Sequence, residues 1–97
     1  MKKINLRREA KGRDCQIRIP RVCNFDPETT VLAHLNGAGM GMKALDIHAA
    51  IACSACHNAV DHRIKTGYTR TELELMHHQG MKRTQDIWVA EGFLWGG

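Results

Sequence analysis

The chemical capacity of this chain is concentrated in four cysteines and in the histidines near the second pair. Cys53-Ser54-Ala55-Cys56 sets two thiols two residues apart, where the stretch from Ser54 to about Lys65 favours a helix capped by Ser54. A helix start offers free N–H groups and the positive end of the dipole, both of which favour thiolates, and the two-residue spacer lets both sulfurs reach one ion. Cys15 and Cys23 supply a second pair. Two such pairs suit a tetrahedral four-sulfur Zn2+ site of structural type, although the spacer in the first pair is wider than usual. Free thiols or a disulfide are the alternatives. The charged start Met1-Lys2-Lys3-Ile4-Asn5-Leu6-Arg7-Arg8 lacks the apolar stretch of a signal peptide, which points to the cytoplasm, where thiols stay reduced. With one more residue, Cys53-Ser54-Ala55-Cys56-His57 also matches a c-type haem attachment sequence. That attachment belongs to exported proteins and leaves Cys15 and Cys23 without a role, so zinc is preferred.

His57 and Asp61 stand at i and i+4, so on a helix they project from one face as two ligands of a single divalent ion. The ordinary alternative is a pair of surface residues, since six histidines make chance neighbours common. Their place directly after the Cys53–Cys56 turn favours the ligand reading. His34 closes a run rich in β-branched residues, Thr29 to Leu35, and an imidazole there has the right pKa range for a general base. A histidine merely packed at a strand end is the alternative.

These side chains need elements to position them. Val31, Ala33 and Leu35 fall on one face of the first strand, and Leu32 and His34 on the other. Ala49 to Ala52 reads as a second short strand leading into Cys53, and Gly67 as the stop of the helix that follows, in which Val60 and Ile64 face the core. Strand, loop, strand and helix in that order would bring His34 opposite His57 and Asp61. Cys15 to Cys23 alternates around Ile17 and Ile19 like a short hairpin. Thr71 with Glu74 has capping-box spacing, and Leu73, Met76, Gly80, Thr84, Ile87, Trp88 and Glu91 form one stripe, so two helical pieces interrupted at Gly80 are expected. Gly37, Gly39 and Gly41 make a loop of the segment between the strands, and Trp88 reads as core rather than as a base-stacking residue with Trp95.

Ninety-seven residues, 43% hydrophobic and 25% charged, describe one small domain with a thin core, for which a metal staple is useful. No run of about 18 apolar residues is present, which excludes a membrane helix. The net charge of +4 is uneven. Lys2, Lys3, Arg7, Arg8, Lys11, Arg13, Arg18 and Arg21 oppose only Glu9 and Asp14, so the first twenty-one residues carry +6 and the rest −2. A basic arm over residues 1–12, a loose tail or a short helix ending near Gly12, suits DNA as a partner; a solubility tail is the other reading.

Cys15 with Cys23, Thr30-Val31-Leu32-Ala33-His34-Leu35, and Cys53-Ser54-Ala55-Cys56-His57 with Asp61 resemble the zinc-containing HNH endonucleases, built on the ββα-metal or His-Me finger. Gly12 to Cys15, Ile19-Pro20, Val22-Cys23-Asn24, Pro27 to Thr30 and Gly80 to Gln85 extend the likeness to the small prophage nucleases of the YbcO and Ref-like group, over residues 10 to 92. The resemblance implies a small α+β, zinc-stapled ββα-metal domain over residues 13–97 with a C-terminal helical segment. It implies His34 as general base, with His57 and Asp61 on a catalytic Mg2+ or Mn2+. The four cysteines would hold Zn2+, and Lys2, Lys3, Arg7, Arg8, Lys11 and Arg13 would bind nucleic acid. Where these enzymes carry a further metal ligand, this chain has Ala33. His48 stands in the catalytic place of the middle asparagine, with Asp46 or Asn36 as loop substitutes. The implied activity is metal-dependent DNA cleavage in phage recombination. A non-catalytic zinc module that binds DNA or a recombination protein is the alternative.

Overall fold

The computed structural model describes residues 5–35 and 46–93. Lys2, Lys3, Asn36, the glycines at 37, 39 and 41, and Trp95 lie outside them. Helix α1 (Leu6–Ala10) is started by Asn5, whose side chain accepts the Arg8 N–H at 3.3 Å. Strand β1 (Val31–His34) pairs antiparallel with strand β2 (Ala49–Ala52), in a register that sets Leu32 against Ile51 and His34 against Ala49. Helix α2 (Ser54–Val60) follows immediately, and helix α3 (Arg70–Ala90) closes the described fold. The class is small α+β, as expected.

The strands alternate, and the alternation sorts the core into two clusters. Ala33, Ala50 and Ala52 face Cys53, Cys56, Ala59 and Val60 of the α2 side, together with Cys15, Ile17, Ile19 and Leu73. Leu32, Ala49 and Ile51 face Leu6 and Ala10 of α1 and the fully buried Trp88. The basic segment therefore takes its short-helix form, with an apolar face docked on the sheet. Trp88 is core, as its stripe implied, and Arg13 lies over its ring at 5.2 Å while forming an ion pair with Glu91.

Four local expectations are corrected. Residues 15 to 23 form turns and contain no strand, because Arg18 and Arg21 have φ of 53° and 66° and cannot extend. Helix α2 is capped by the Cys53 sulfur, which accepts the Cys56 N–H at 3.3 Å, rather than by Ser54. It ends at Val60, where the Arg63 N–H returns to Asn58 O at 2.8 Å around a left-handed His62, leaving Ile64 43% exposed instead of in the core. This is the Schellman arrangement with histidine where glycine is usual. Helix α3 starts at the capping box of Thr69 and Glu72 and runs unbroken through Gly80. Gly80 is a crossing point rather than a break: a Cβ there would meet Ile17 Cγ1 at 2.8 Å and Ile17 Cα at 3.0 Å.

Polar side chains of α3 reach the backbone of its neighbours. The Thr84 hydroxyl accepts the Ile51 N–H at 3.0 Å and donates to Gly80 O at 2.8 Å; Gln85 donates to Ile47 O, and Arg83 to Gln16 O. The Gln16 N–H donates to Ile51 O at 2.7 Å. At Ile51 the outer edge of β2 is thus satisfied by a side chain and a turn. The buried His77 donates from Nε2 to Ala33 O at 2.7 Å, and burial holds its pKa below the ordinary value.

Two outcomes follow from this packing. Gly80→Ala should lower stability by about 1–3 kcal/mol through overpacking against Ile17, although alanine favours helix by ~1 kcal/mol; chemical denaturation that shows stabilisation would refute the tight crossing. For His77, the unfolded chain takes up a proton more readily than the native one, so stability should fall as pH drops below about 6.5. His77→Gln should flatten that part of the stability-against-pH curve.

Candidate metal centre and histidine sites

The four cysteine sulfurs come from two distant segments and all lie within 4.8 Å of one another, with Cys23 and Cys53 Sγ 3.7 Å apart. Cys15, Cys53 and Cys56 are buried and Cys23 is half-buried. The turns between them direct N–H groups at sulfur: Arg18 N–H to Cys15, Ile19 N–H to Cys56, and Cys56 N–H to Cys53. The Phe25 backbone does the same for Cys23. Such bonds favour thiolates. The protons remaining on the sulfurs are shared unevenly. A hydrogen bond from the Cys56 thiol holds Cys15 down to about 5, the same bond pushes Cys56 up, and burial pushes Cys23 up to about 11. Four thiolates crowded this closely repel one another, and a divalent cation among them relieves the repulsion. The donor set therefore fits a four-sulfur ion of the zinc type.

His57 and Asp61 are brought together at one end of α2, with Nε2 and Oδ2 3.1 Å apart. Asp61 also has Arg63 at 3.7 Å. Among the described residues, no third histidine, cysteine or carboxylate joins them in a metal-sized cluster. Ala33 is completely buried and its methyl carries no donor atom, so the position before His34 offers no side-chain ligand.

His34 is placed elsewhere. Its Nε2 lies 2.7 Å from Asp46 Oδ1, and the Arg7 Nε donates to the same oxygen at 3.2 Å. That hydrogen bond from His34, followed by the Arg7 contact, holds the Asp46 carboxyl below the usual carboxylate range. His34 shares the α1 face of the sheet with Leu32, whereas α2 packs on the face of Ala33. The expected single cleft between His34 and the His57–Asp61 pair is therefore not formed; strand parity puts them on opposite faces. Both still lie toward the same end of the sheet, since Leu35, one residue past β1, lines a small cavity with Val60 at the end of α2. His48 stands opposite Leu35, whose N–H donates to His48 O at 2.9 Å, so it belongs to the other face from His34. The side chain that meets His34 is Asp46, one of the two loop substitutes named for the middle asparagine.

The sequence reading passed over Arg7 as a partner of this histidine and His77 as the anchor of β1. A stripe counted from Leu73 in steps of four reaches His77, Gly80 by three, then Thr84 and Trp88, all buried; that spacing was the available signal. Arg13, counted with the basic residues, is held by Glu91 and Glu9.

The described fold and site define a small α+β protein with a four-cysteine cluster able to hold a metal ion, and comparison with known proteins narrows this class. The family model described as "Putative nuclease YbcO" matches residues 4–93, and the chain belongs to that family. A protein named "Putative nuclease YbcO" from Escherichia coli (strain K12) is 49% identical over 96 residues, covering 93% of this chain and 96% of the relative. A namesake from Enterobacteria phage 82 gives the same identity and coverage. A solved structure titled as a putative bacteriophage protein from Escherichia coli K-12 superposes with a TM-score of 0.79 at 45% identity, covering 91% of this chain and all of the other.

Elemental analysis of protein purified without chelator should return one zinc per chain. Cys53→Ala or Cys56→Ala should abolish both metal and cooperative unfolding, because in a small metal-stapled domain metal binding is folding free energy. A Soret band or a metal-free, fully folded protein would refute the assignment.

Proposed function

We propose that this member of the YbcO nuclease family is a DNA endonuclease of phage recombination that hydrolyses phosphodiester bonds with His34 as general base. The observation that carries the reading is the His34–Asp46 hydrogen bond of 2.7 Å. Asp46, held ionised beside Arg7, accepts the Nε2 proton, which fixes the tautomer and leaves the Nδ1 lone pair to take a proton from water. The activated water then attacks phosphorus in line with the departing 3′ oxygen. Zn2+ on Cys15, Cys23, Cys53 and Cys56 serves the fold alone.

His57 and Asp61 are the residues that would hold Mg2+ or Mn2+, with the remaining positions left to water and phosphate, as is common for Mg2+. Such an ion, when bound, offsets the negative charge gathering on the phosphate and the leaving oxygen. Because the two groups belong to opposite faces at one end of the sheet, the substrate strand is proposed to cross that end and meet both. Backbone contacts from the basic segment, including Lys2, Lys3 and Arg8, would hold DNA without reading its sequence.

A second reading has a specific observation in its favour. The separation of His34 from His57 and Asp61 by the sheet, with Ala33 in place of a ligand, also suits a zinc module that binds DNA or a recombination protein without cutting. A plasmid-nicking assay in Mg2+ and Mn2+ separates the two. Under the nuclease reading the wild type nicks, and His34→Ala loses about 100-fold or more in rate while retaining DNA affinity. A wild type that binds DNA but cuts neither plasmid nor single strands under any divalent ion decides for the module.

A further inference from the structure

Beside His34, on the α1 face of the sheet, lies a groove of about 340 Å³ lined by Arg7, Lys11, Val31, Leu32 and His34. Arg7 and Lys11 are four residues apart on and just after α1, so they share one side of it. Their states differ in an instructive way from that of Arg13. Arg13 is engaged by Glu9 and Glu91 and stacked over Trp88. Lys11 has no side-chain hydrogen bond or ion pair among the described residues. Among the described residues Arg7 uses only its Nε, on Asp46, and its side chain is 65% exposed, so neither terminal nitrogen has a partner there.

The groove thus combines a short apolar floor, the terminal nitrogens of Arg7, the amine of Lys11 and an imidazole held by a carboxylate. Among the described residues, the carboxylate bonded to its lining side chains, Asp46, is already shared between His34 and Arg7. A tetrahedral anion with an organic substituent on either side matches that lining: the terminal nitrogens of Arg7 suit phosphate oxygens in a bidentate manner, Lys11 adds a point charge, and Val31 and Leu32 accept the sugar.

We propose that this groove seats a phosphodiester of the DNA strand against His34, with Arg7 and Lys11 as its two cationic walls. The proposal rests on the reading of His34 as the base and adds to it which residues hold the phosphate. It makes α1 part of the site, built onto the sheet through Leu6 and Ala10, and it assigns the phosphate contact to Arg7 and Lys11 in preference to Arg13.

The test uses the full chain with its metal, and Lys11→Gln is the cleanest variant because that side chain bonds to nothing described in the fold. Duplex affinity is measured against salt without added Mg2+ or Mn2+, so that binding is read apart from cleavage. Arg7→Gln and Lys11→Gln should each reduce the slope of log affinity against log salt by about 0.9, and the double variant by about twice that. Lys82→Gln, an equal loss of charge on the exposed side of α3, should leave the slope unchanged. A thymidine dinucleotide should shift the ring C–H NMR signals of His34 in the wild type and not in the double variant. Loss of slope with the His34 shift supports the groove even if the wild type never cuts DNA. A double variant that keeps the wild-type slope, or a dinucleotide that moves the His57 ring and leaves His34 unmoved, overturns it even if DNA is cut normally.

Discussion

Four sulfur atoms drawn from residues 15 to 56 into a space of less than 5 Å are the constraint from which the rest of this fold follows. The turn holding Cys15 and Cys23 has no strand or helix of its own, yet it carries Ile17 and Ile19 into the core and presents Gln16 to the edge of β2. The junction between β2 and α2 is one residue, Cys53, whose sulfur both belongs to the cluster and caps the helix. Sulfur geometry therefore decides where β2 stops, where α2 starts, and against which turn α3 must pass at Gly80. A chain of 97 residues in which alanine is the commonest buried hydrophobic residue has little apolar surface to bury, and a metal ion held by the four cysteines would supply what larger side chains do elsewhere.

The parts of the fold that depend on local chemistry were legible in the sequence. Strands at 31–34 and 49–52 agree with the β-branched run from Thr29 to Leu35 and the short apolar run from Ala49 to Ala52, and Trp88 belongs to the core as its stripe implied. The misread parts are those in which a distant group overrules a local pattern. Residues 15 to 23 alternate like a short hairpin, but the Arg18 and Ile19 amides go to sulfur and those of Val22 and Cys23 close a turn on Ile19 O. Gly80 reads as a helix breaker until Ile17 is seen lying where its side chain would be. His62 gives no sign that it will end α2, because a left-handed cap is normally a glycine.

The candidate site was legible as a list of residues and not as an arrangement. The cysteines form one cluster, and i and i+4 spacing on a helix is enough to join His57 with Asp61. Whether His34 shares their cleft depends on strand parity, and the alternation visible in the sequence, with Ala33 on one face and His34 on the other, already contained the answer once α2 was assigned to the face of Ala33. Asp46 and Arg7 are separated by 39 positions, and no local pattern announces their meeting over one oxygen.

The left-handed residues around the four cysteines have a thermodynamic meaning of their own. Arg18 and Phe25 adopt φ of 53° and 55° because their amides face cysteine sulfur, and Arg21 joins them at 66°. Bulky residues in that region of backbone space cost of order 1 kcal/mol each, and they persist only where the surroundings enforce them. Here the surroundings are the cysteine sulfurs that accept these amides. An ion bound among the four sulfurs would favour thiolates and strengthen those bonds, so part of its affinity would be offset by the conformations the bonds require. Exchange of Arg18, Arg21 or Phe25 would then change how firmly such an ion is held while the four sulfurs stay the same.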